Sequence, residues 1–337
     1  MLMRTKSMNK LRNLVVVLGV CTVAFGQTEN KEIIKLGTLA TEASDWGQIL
    51  KEMGAELVHK SNGKLEIRFF FGRDEQDLVK LLKNRQCDAV SLTAAGLGQI
   101  LPSISVFQLP MLFSAYEEWD HVKNHMTDDF VGRFARAGCT FLGWADIGFV
   151  YLFSKEAIRT QTDLQKSGLW AWTLDPIAQA FASAAGSEPV LLPIESVLSS
   201  LRNDEIQTVY ASPLACIVYQ WQTQVKYLTN LPLSVGIGAT IMDNTRFNEM
   251  DPGLRNLLRK TAKEFHIRLV KRIRESNEES LQVLQRQGLQ IIDVPQMEKR
   301  KWSQVLGKVQ NRFVGQLYEQ ELLDEVRDLL RQYQARK

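Results

Sequence analysis

His121 and His125 stand four residues apart, the spacing that sets two imidazoles on one face of a helix where they can share a metal ion. The residues between them, Val122-Lys123-Asn124, supply no glutamate for the H-E-x-x-H arrangement of a zinc hydrolase, and no third ligand stands nearby in the sequence, so no metal site is expected. The chain has no G-x-S-x-G nucleophile elbow, no P-loop and no G-x-G-x-x-G; Gly236-Ile237-Gly238 lacks the third glycine of the dinucleotide fingerprint. With 4 histidines and no paired nucleophile and base, the sequence shows no catalytic apparatus and calls for no cofactor. Cys87, Cys139 and Cys216 form an odd set at wide spacing in apolar surroundings, which reads as small buried hydrophobes rather than a disulfide framework. The chemistry left is that of binding. Hydroxyl and aromatic residues gather where short apolar runs end: Thr41 to Trp46, Thr93 to Ala95, Trp172 to Leu174, and Tyr210 to Pro213. Indoles and phenols there present large apolar faces, each with one hydrogen-bonding group.

Those runs are the strands that would hold such residues in place. Ile33 to Leu39, Leu65 to Phe71 and Cys87 to Leu92 read as strands. Between them, Trp46 to Lys60 carries apolar residues at helical spacing, closed by Ser61-Asn62-Gly63, and Asp74 to Asn84 is amphipathic. Strand and helix in alternation predict a parallel sheet with right-handed crossovers. A second α/β unit follows: strands at 140–153, 168–172, 190–192 and 206–210, with helices at 175–185 and 195–202. Residues 253–287 carry a long helical pattern, and 297–335 another, broken by Gly307 and Gly315. Open parallel sheets bind ligands beyond the carboxyl ends of their strands, so the cleft between two such units is the expected site.

A length of 337 residues suits two domains. Arg4, Lys6, Lys10 and Arg12 precede the apolar run from Leu14 to Phe25, and Ala24-Phe25-Gly26 supplies small residues for cleavage, so residues 1–26 read as a secretory signal peptide. The run is too short to span a bilayer, which needs about 20 apolar residues. Leu18-Gly19-Val20-Cys21 loosely resembles a lipobox, which makes Cys21 a possible lipidation site, although cleavage near Gly26 is the expectation. Taking the four leader cations from the net charge of +3 leaves −1, and a nearly neutral chain has no basic field for nucleic acid.

Five segments, in order, resemble the solute-binding subunit of tripartite ATP-independent periplasmic (TRAP) transporters, the group typified by C4-dicarboxylate binders. They are Trp46 through Leu65 with its Ser61-Asn62-Gly63-Lys64 turn; Cys87-Asp88-Ala89-Val90; Leu109-Pro110-Met111-Leu112-Phe113 with Glu117-Glu118; Thr162 to Gly168; and Gly186 to Val190 with Pro193 and Glu195. The resemblance implies an α/β, two-lobed periplasmic binding protein (type II-like) with crossing strands and a long helix spanning both lobes. Lobe 1 would hold residues 31–147 plus 235–275, and lobe 2 residues 148–234 plus 276–335. It further implies a periplasmic location, hinge closure on a small molecule and membrane-subunit partners.

The sequence also departs from the family. The arginine that grips a ligand carboxylate in most members falls at Trp172, or at Trp170 if the alignment slips by two. The second basic position, after Gly148, is Phe149, and Ser212 stands where an asparagine often precedes proline. The expected ligand-binding residues are therefore Trp46, Thr93, Phe113, Trp144, Phe149, Trp172, Leu174, Tyr210 and Ser212. Such a wall predicts an apolar or amphipathic ligand, and it resembles the subgroup that works with a periplasmic tetratricopeptide-repeat protein. A periplasmic sensor or scaffold without transport is the alternative, and an exported hydrolase is a third.

Overall fold

The computed structural model describes residues 31–72 and 74–336; the leader expected over residues 1–26, with Cys21, lies outside them. The first five elements are β1 (Glu32–Thr38), α1 (Asp45–Lys60), β2 (Leu65–Phe71), α2 (Glu75–Lys83) and β3 (Ala89–Thr93). Side chains just before each helix start it: Ser44 accepts from Gly47 N for α1, and Asp74 accepts from Gln76 N for α2. β1 pairs in parallel with β2 along its length and with β3 near its C-terminal end, as the alternating pattern requires. Then come α3 (Ala94–Leu97), α4 (Tyr116–Arg136) and the long strand β4 (Cys139–Ser154).

The middle of the chain runs α5 (Gln161–Gln165), β5 (Trp170–Trp172), α6 (Pro176–Ala184), β6 (Val190–Leu192), α7 (Val197–Arg202), β7 (Thr208–Ala211) and α8 (Pro213–Val218). It closes with β8 (Tyr227–Asp243), α9 (Asn244–Glu249), α10 (Pro252–Arg286), β9 (Gln290–Asp293), α11 (Gln296–Arg312) and α12 (Gln320–Gln334).

The second sheet is not the independent one that the sequence suggested. A seven-stranded sheet runs β2-β1-β3-β8-β4-β7, with β9 on β8, and only β5 and β6 form a separate two-stranded pair. The reason is the length of β4 and β8, 16 and 17 residues in antiparallel register from Cys139–Asp243 to Ser154–Tyr227. At about 3.3 Å per residue each reaches about 50 Å, enough to serve β3 at one end and β7 at the other. Their register shifts at three places, between Phe141 and Gly143, Asp146 and Gly148, and Val150 and Leu152. Gly148, at φ 103°, lies at the middle one.

α10 is the other long element, 35 residues, and it packs against α1, β4 and α8. Leu258, Ala262, Phe265, Leu269 and Ile273 make its buried stripe at helical spacing, joined to the core of α1 and β1. α11 runs unbroken through Gly307, contrary to expectation: a single glycine costs a helix only about 1 kcal/mol. The break comes at Gly315, whose φ of 76° leaves the helical region.

Candidate functional site

A cavity of about 230 Å³ opens where the C-terminal ends of β1, β3, β5 and β7 converge. Thr41, Ser44 and Trp46 after β1, Thr93 and Ala95 after β3, Trp172 of β5, and Tyr210 and Ser212 of the β7 end all line it. Ile147 and Val150 of β4, with Ile273 of α10, lie on the wall between them. Strand ends supply this wall because the parallel crossovers set the following helix N-termini around it.

Those N-termini are already occupied. Ser44 accepts from Gly47 N at 3.1 Å and caps α1; Asp175 accepts from Ala178 N at 2.9 Å and caps α6. The Glu75 carboxylate accepts from Thr93 N (2.6 Å), Thr93 Oγ1 (2.7 Å) and Gly96 N (2.8 Å), so the amides after β3 are taken as well. Ser212 accepts from Ala215 N at 3.3 Å. Ser44, Glu75, Asp175 and Ser212 all line the cavity, and no lysine or arginine does among the described residues. Backbone amides at helix starts are the usual seats for anions. Here this chain's own oxygens fill them, two of them carboxylates.

Burial pushes the Glu75 carboxyl up to about 7, against the pull of its three donors. It likewise raises the Asp175 carboxyl above its ordinary range. Asp175 Oδ2 receives the Tyr210 hydroxyl at 3.2 Å, and that hydroxyl oxygen in turn accepts from Trp172 N at 3.2 Å. On the opposite side the Trp46 indole N–H donates to Ser91 Oγ at 3.2 Å. The Ser91 and Thr240 hydroxyls are 2.9 Å apart, and His266 Nε2 is 2.7 Å from Thr240 Oγ1. His266 Nδ1 lies 2.7 Å from the Ala262 carbonyl, which only a donor can satisfy, so Nε2 is the acceptor of the neutral ring. The hydrogen bonds therefore run one way, from Trp46 through Ser91 and Thr240 into α10. Burial holds His266 down at about 4, so the chain keeps this direction at neutral pH.

Of the residues expected in the cleft, Trp46, Thr93, Trp172, Tyr210 and Ser212 line the cavity. The other four are placed elsewhere. Phe113 and Trp144 belong to an aromatic core with Trp119, at ring separations of 5.6 and 6.0 Å from it, and the Trp144 indole donates to Thr127 Oγ1. Phe149 packs on Tyr116 at 4.7 Å, and its N–H donates to the Tyr116 hydroxyl. Leu174 is half-buried against the hydrophobic cluster behind β5. Trp170, two residues before Trp172, also reaches the cavity. Trp221, which carried no strand-end or motif signal, is 2% exposed and forms part of the cavity wall. Glu75 and Asp175 had no motif to announce them beyond helix-start chemistry. His121 and His125 lie 4.2 Å apart and tilted on α4, with the Tyr333 ring 5.2 Å from His121, and neither histidine is among the cavity-lining residues.

This architecture, with long crossing strands, a helix running the length of both halves and a cavity at the strand ends, defines a two-lobed α/β solute-binding protein. Residues 36–316 match the model of the bacterial extracellular solute-binding proteins, family 7, and the chain belongs to that family. A TRAP periplasmic solute-binding protein from Ochrobactrum anthropi superposes with a TM-score of 0.81 over 92% of this chain and 98% of its own, at 17% identity. Its counterpart from Ralstonia eutropha H16, holding (S)-2-acetolactate, gives 0.82 over 90% and 99% at 14% identity. One from Xanthobacter autotrophicus Py2, holding β-D-galacturonate, gives 0.81 over 88% and 99% at 17%. A solute-binding protein of Roseobacter denitrificans is 24% identical over 213 residues, 62% of this chain and 65% of its own length. No helix among the described residues is long and apolar enough to cross a membrane.

Proposed function

We propose that this protein is the periplasmic receptor of a TRAP-type transporter, and that it captures a small apolar or amphipathic molecule rather than an organic acid. Capture would occur by closure of two lobes, residues 31–147 plus 235–275 against 148–234 plus 276–335, hinged on β4 and β8. Loaded receptor would then deliver its ligand to the membrane subunits, with a tetratricopeptide-repeat protein as auxiliary partner. Family membership and the fold support the receptor role. The observation that carries the ligand class is the cavity wall: aromatic rings, no cation among the described residues, and helix starts filled by the chain's own side chains. The relatives from Xanthobacter and Ralstonia hold organic acids, and a buried carboxylate without a cation would cost several kcal/mol here. Native mass spectrometry of the protein purified from its own host should show a co-purified uncharged or cationic molecule. Stoichiometric recovery of an organic acid, or tight calorimetric binding of succinate or galacturonate, would overturn the ligand class.

A further inference from the structure

The cavity wall also carries the sign of the ligand's polar end. We propose that this end is a cation, an ammonium group on a small apolar body, held between the Asp175 carboxylate and the rings of Trp172, Tyr210 and Tyr219. This rests on the reading of the cavity as the solute site.

Asp175 stands at a junction: it lines the main cavity and a side cavity of about 40 Å³. Its carboxyl has neutral partners only, Ala178 N–H and the Tyr210 hydroxyl, and makes no ion pair among the described residues. An acidic ligand would meet this carboxylate as a like charge. A wholly apolar ligand would seal Asp175 away from water with its charge uncompensated, and burial already disfavours its ionised form. An ammonium removes that cost. The aromatic wall suits it too, because ring faces attract desolvated cations. These rings are held in place by their neighbours: Trp170 stacks on Tyr210 at 4.9 Å, and Trp221 stacks on Tyr219 at 5.2 Å and meets Trp170 edge-on at 5.3 Å. The Tyr210 hydroxyl is fixed between Asp175 and Trp172 N, so ring and carboxylate keep a constant relation. A site of this shape needs little reorganisation to receive a methylated or primary ammonium.

The test is calorimetry on ligand-stripped protein with choline, benzyltrimethylammonium, 3,3-dimethylbutan-1-ol (the uncharged isostere of choline) and galacturonate, each to about 1 mM. At least one ammonium should bind, and choline should bind at least about tenfold tighter than its isostere. Asp175→Asn keeps a cap on α6 and should bring the ratio of choline to isostere affinity close to one. Should that variant unfold, Tyr219→Leu keeps an apolar side chain but removes the ring face, and should lower the ratio of choline to isostere affinity about tenfold. Equal binding of choline and isostere overturns the ammonium assignment and leaves the apolar-ligand reading intact. Galacturonate binding tighter than either overturns both. No binding by either ammonium also overturns the assignment.

Discussion

Replacing Arg274 with methionine should destabilise the protein by roughly 3–5 kcal/mol, whereas the same change at Arg272, two residues away on α10, should cost about 0–1 kcal/mol. Both arginines hold several carboxylates. Arg272 is 38% exposed and pairs with Asp45 at 3.2 Å and Glu279 at 3.1 Å, where water screens the attraction and takes over when the cation is gone. Arg274 is 17% exposed, and one of its partners, Asp146, is 0% exposed. Its Nε donates to Asp146 Oδ2 at 2.8 Å, its Nη1 and Nη2 grip Asp120 at 2.7 Å each, and its guanidinium lies 4.3 Å above the Tyr116 ring. Without it, Asp120 keeps Lys123 at 2.7 Å, but among the described residues Asp146 keeps only the Trp119 indole N–H at 3.1 Å. An ionised carboxylate on β4, out of water with one neutral donor, is the source of the cost. The assay is urea unfolding followed by tryptophan fluorescence at pH 7, reading the midpoint at constant slope. Adding Asp146→Asn to Arg274→Met should recover about 1–3 kcal/mol, because the uncompensated charge goes with it. Equal costs at Arg272 and Arg274, or strict additivity in the double variant, would refute the reasoning.

Glu75 sets a pH dependence of stability. Its folded-state value, about 7, lies above the ordinary glutamate value of 4.5, so its contribution is complete below pH 4.5 and is lost as pH rises through 7. The stability of the parent relative to Glu75→Gln should fall by about 3 kcal/mol between pH 4.5 and 8, read from urea midpoints; a flat difference would mean that Glu75 is ionised throughout. Gly148→Ala should cost more than about 2 kcal/mol, since a Cβ there would stand 2.5 Å from Asn277 Nδ2 at φ 103°. Gly138→Ala, at φ 83° with nothing within 4 Å, should cost only about 1–2 kcal/mol, and calorimetric melting separates the two. Trp172→Arg should weaken the native ligand at least tenfold, about 1.4 kcal/mol, by replacing an indole face of the cavity wall with a guanidinium; titration calorimetry with the co-purified ligand would expose unchanged affinity.

The first half of the fold was legible because its signals are local. Ser44 and Asp74 are good caps, the Asn62-Gly63 turn has its positive φ values, and the boundaries of β1 through β3 fall within two residues of the pattern. β8 was not legible, because Pro232, Gly236 and Gly238 read as strand breakers. Each has a reason that appears only in three dimensions. Pro232 falls where β4 and β8 slip register, between the pairs Val150–Ser234 and Leu152–Thr229, so no ladder amide is missed there. A Cβ on Gly238 would stand 2.5 Å from the Leu92 carbonyl and 3.1 Å from the Trp46 ring, and one on Gly236 would stand 3.0 Å from Ile147. The glycines that seem to break the strand are what let β3, β4 and the cavity ring approach it.

The site was legible in its regions and not in all of its residues, for a physical reason. Strand-end position located Trp46, Thr93, Trp172, Tyr210 and Ser212, because the crossover rule fixes where a parallel sheet opens. Aromatic character placed Phe113 and Trp144, and the family's second basic position placed Phe149, but an apolar ring buries as well in a core as in a cleft. Their neighbours decide the matter: Phe107, Trp119 and Phe130 surround Trp144, and Tyr116 covers Phe149. The two acids were hidden for the opposite reason. Asp175 before Pro176 is an ordinary helix start, and Glu75 an ordinary first-turn acid, so each is fully explained locally without a cavity. Only the convergence of α6, α2 and β3 on one space sets these two capping acids on the wall of one cavity. A missing arginine is visible in one sequence; the carboxylates that give its absence a chemical meaning require the fold.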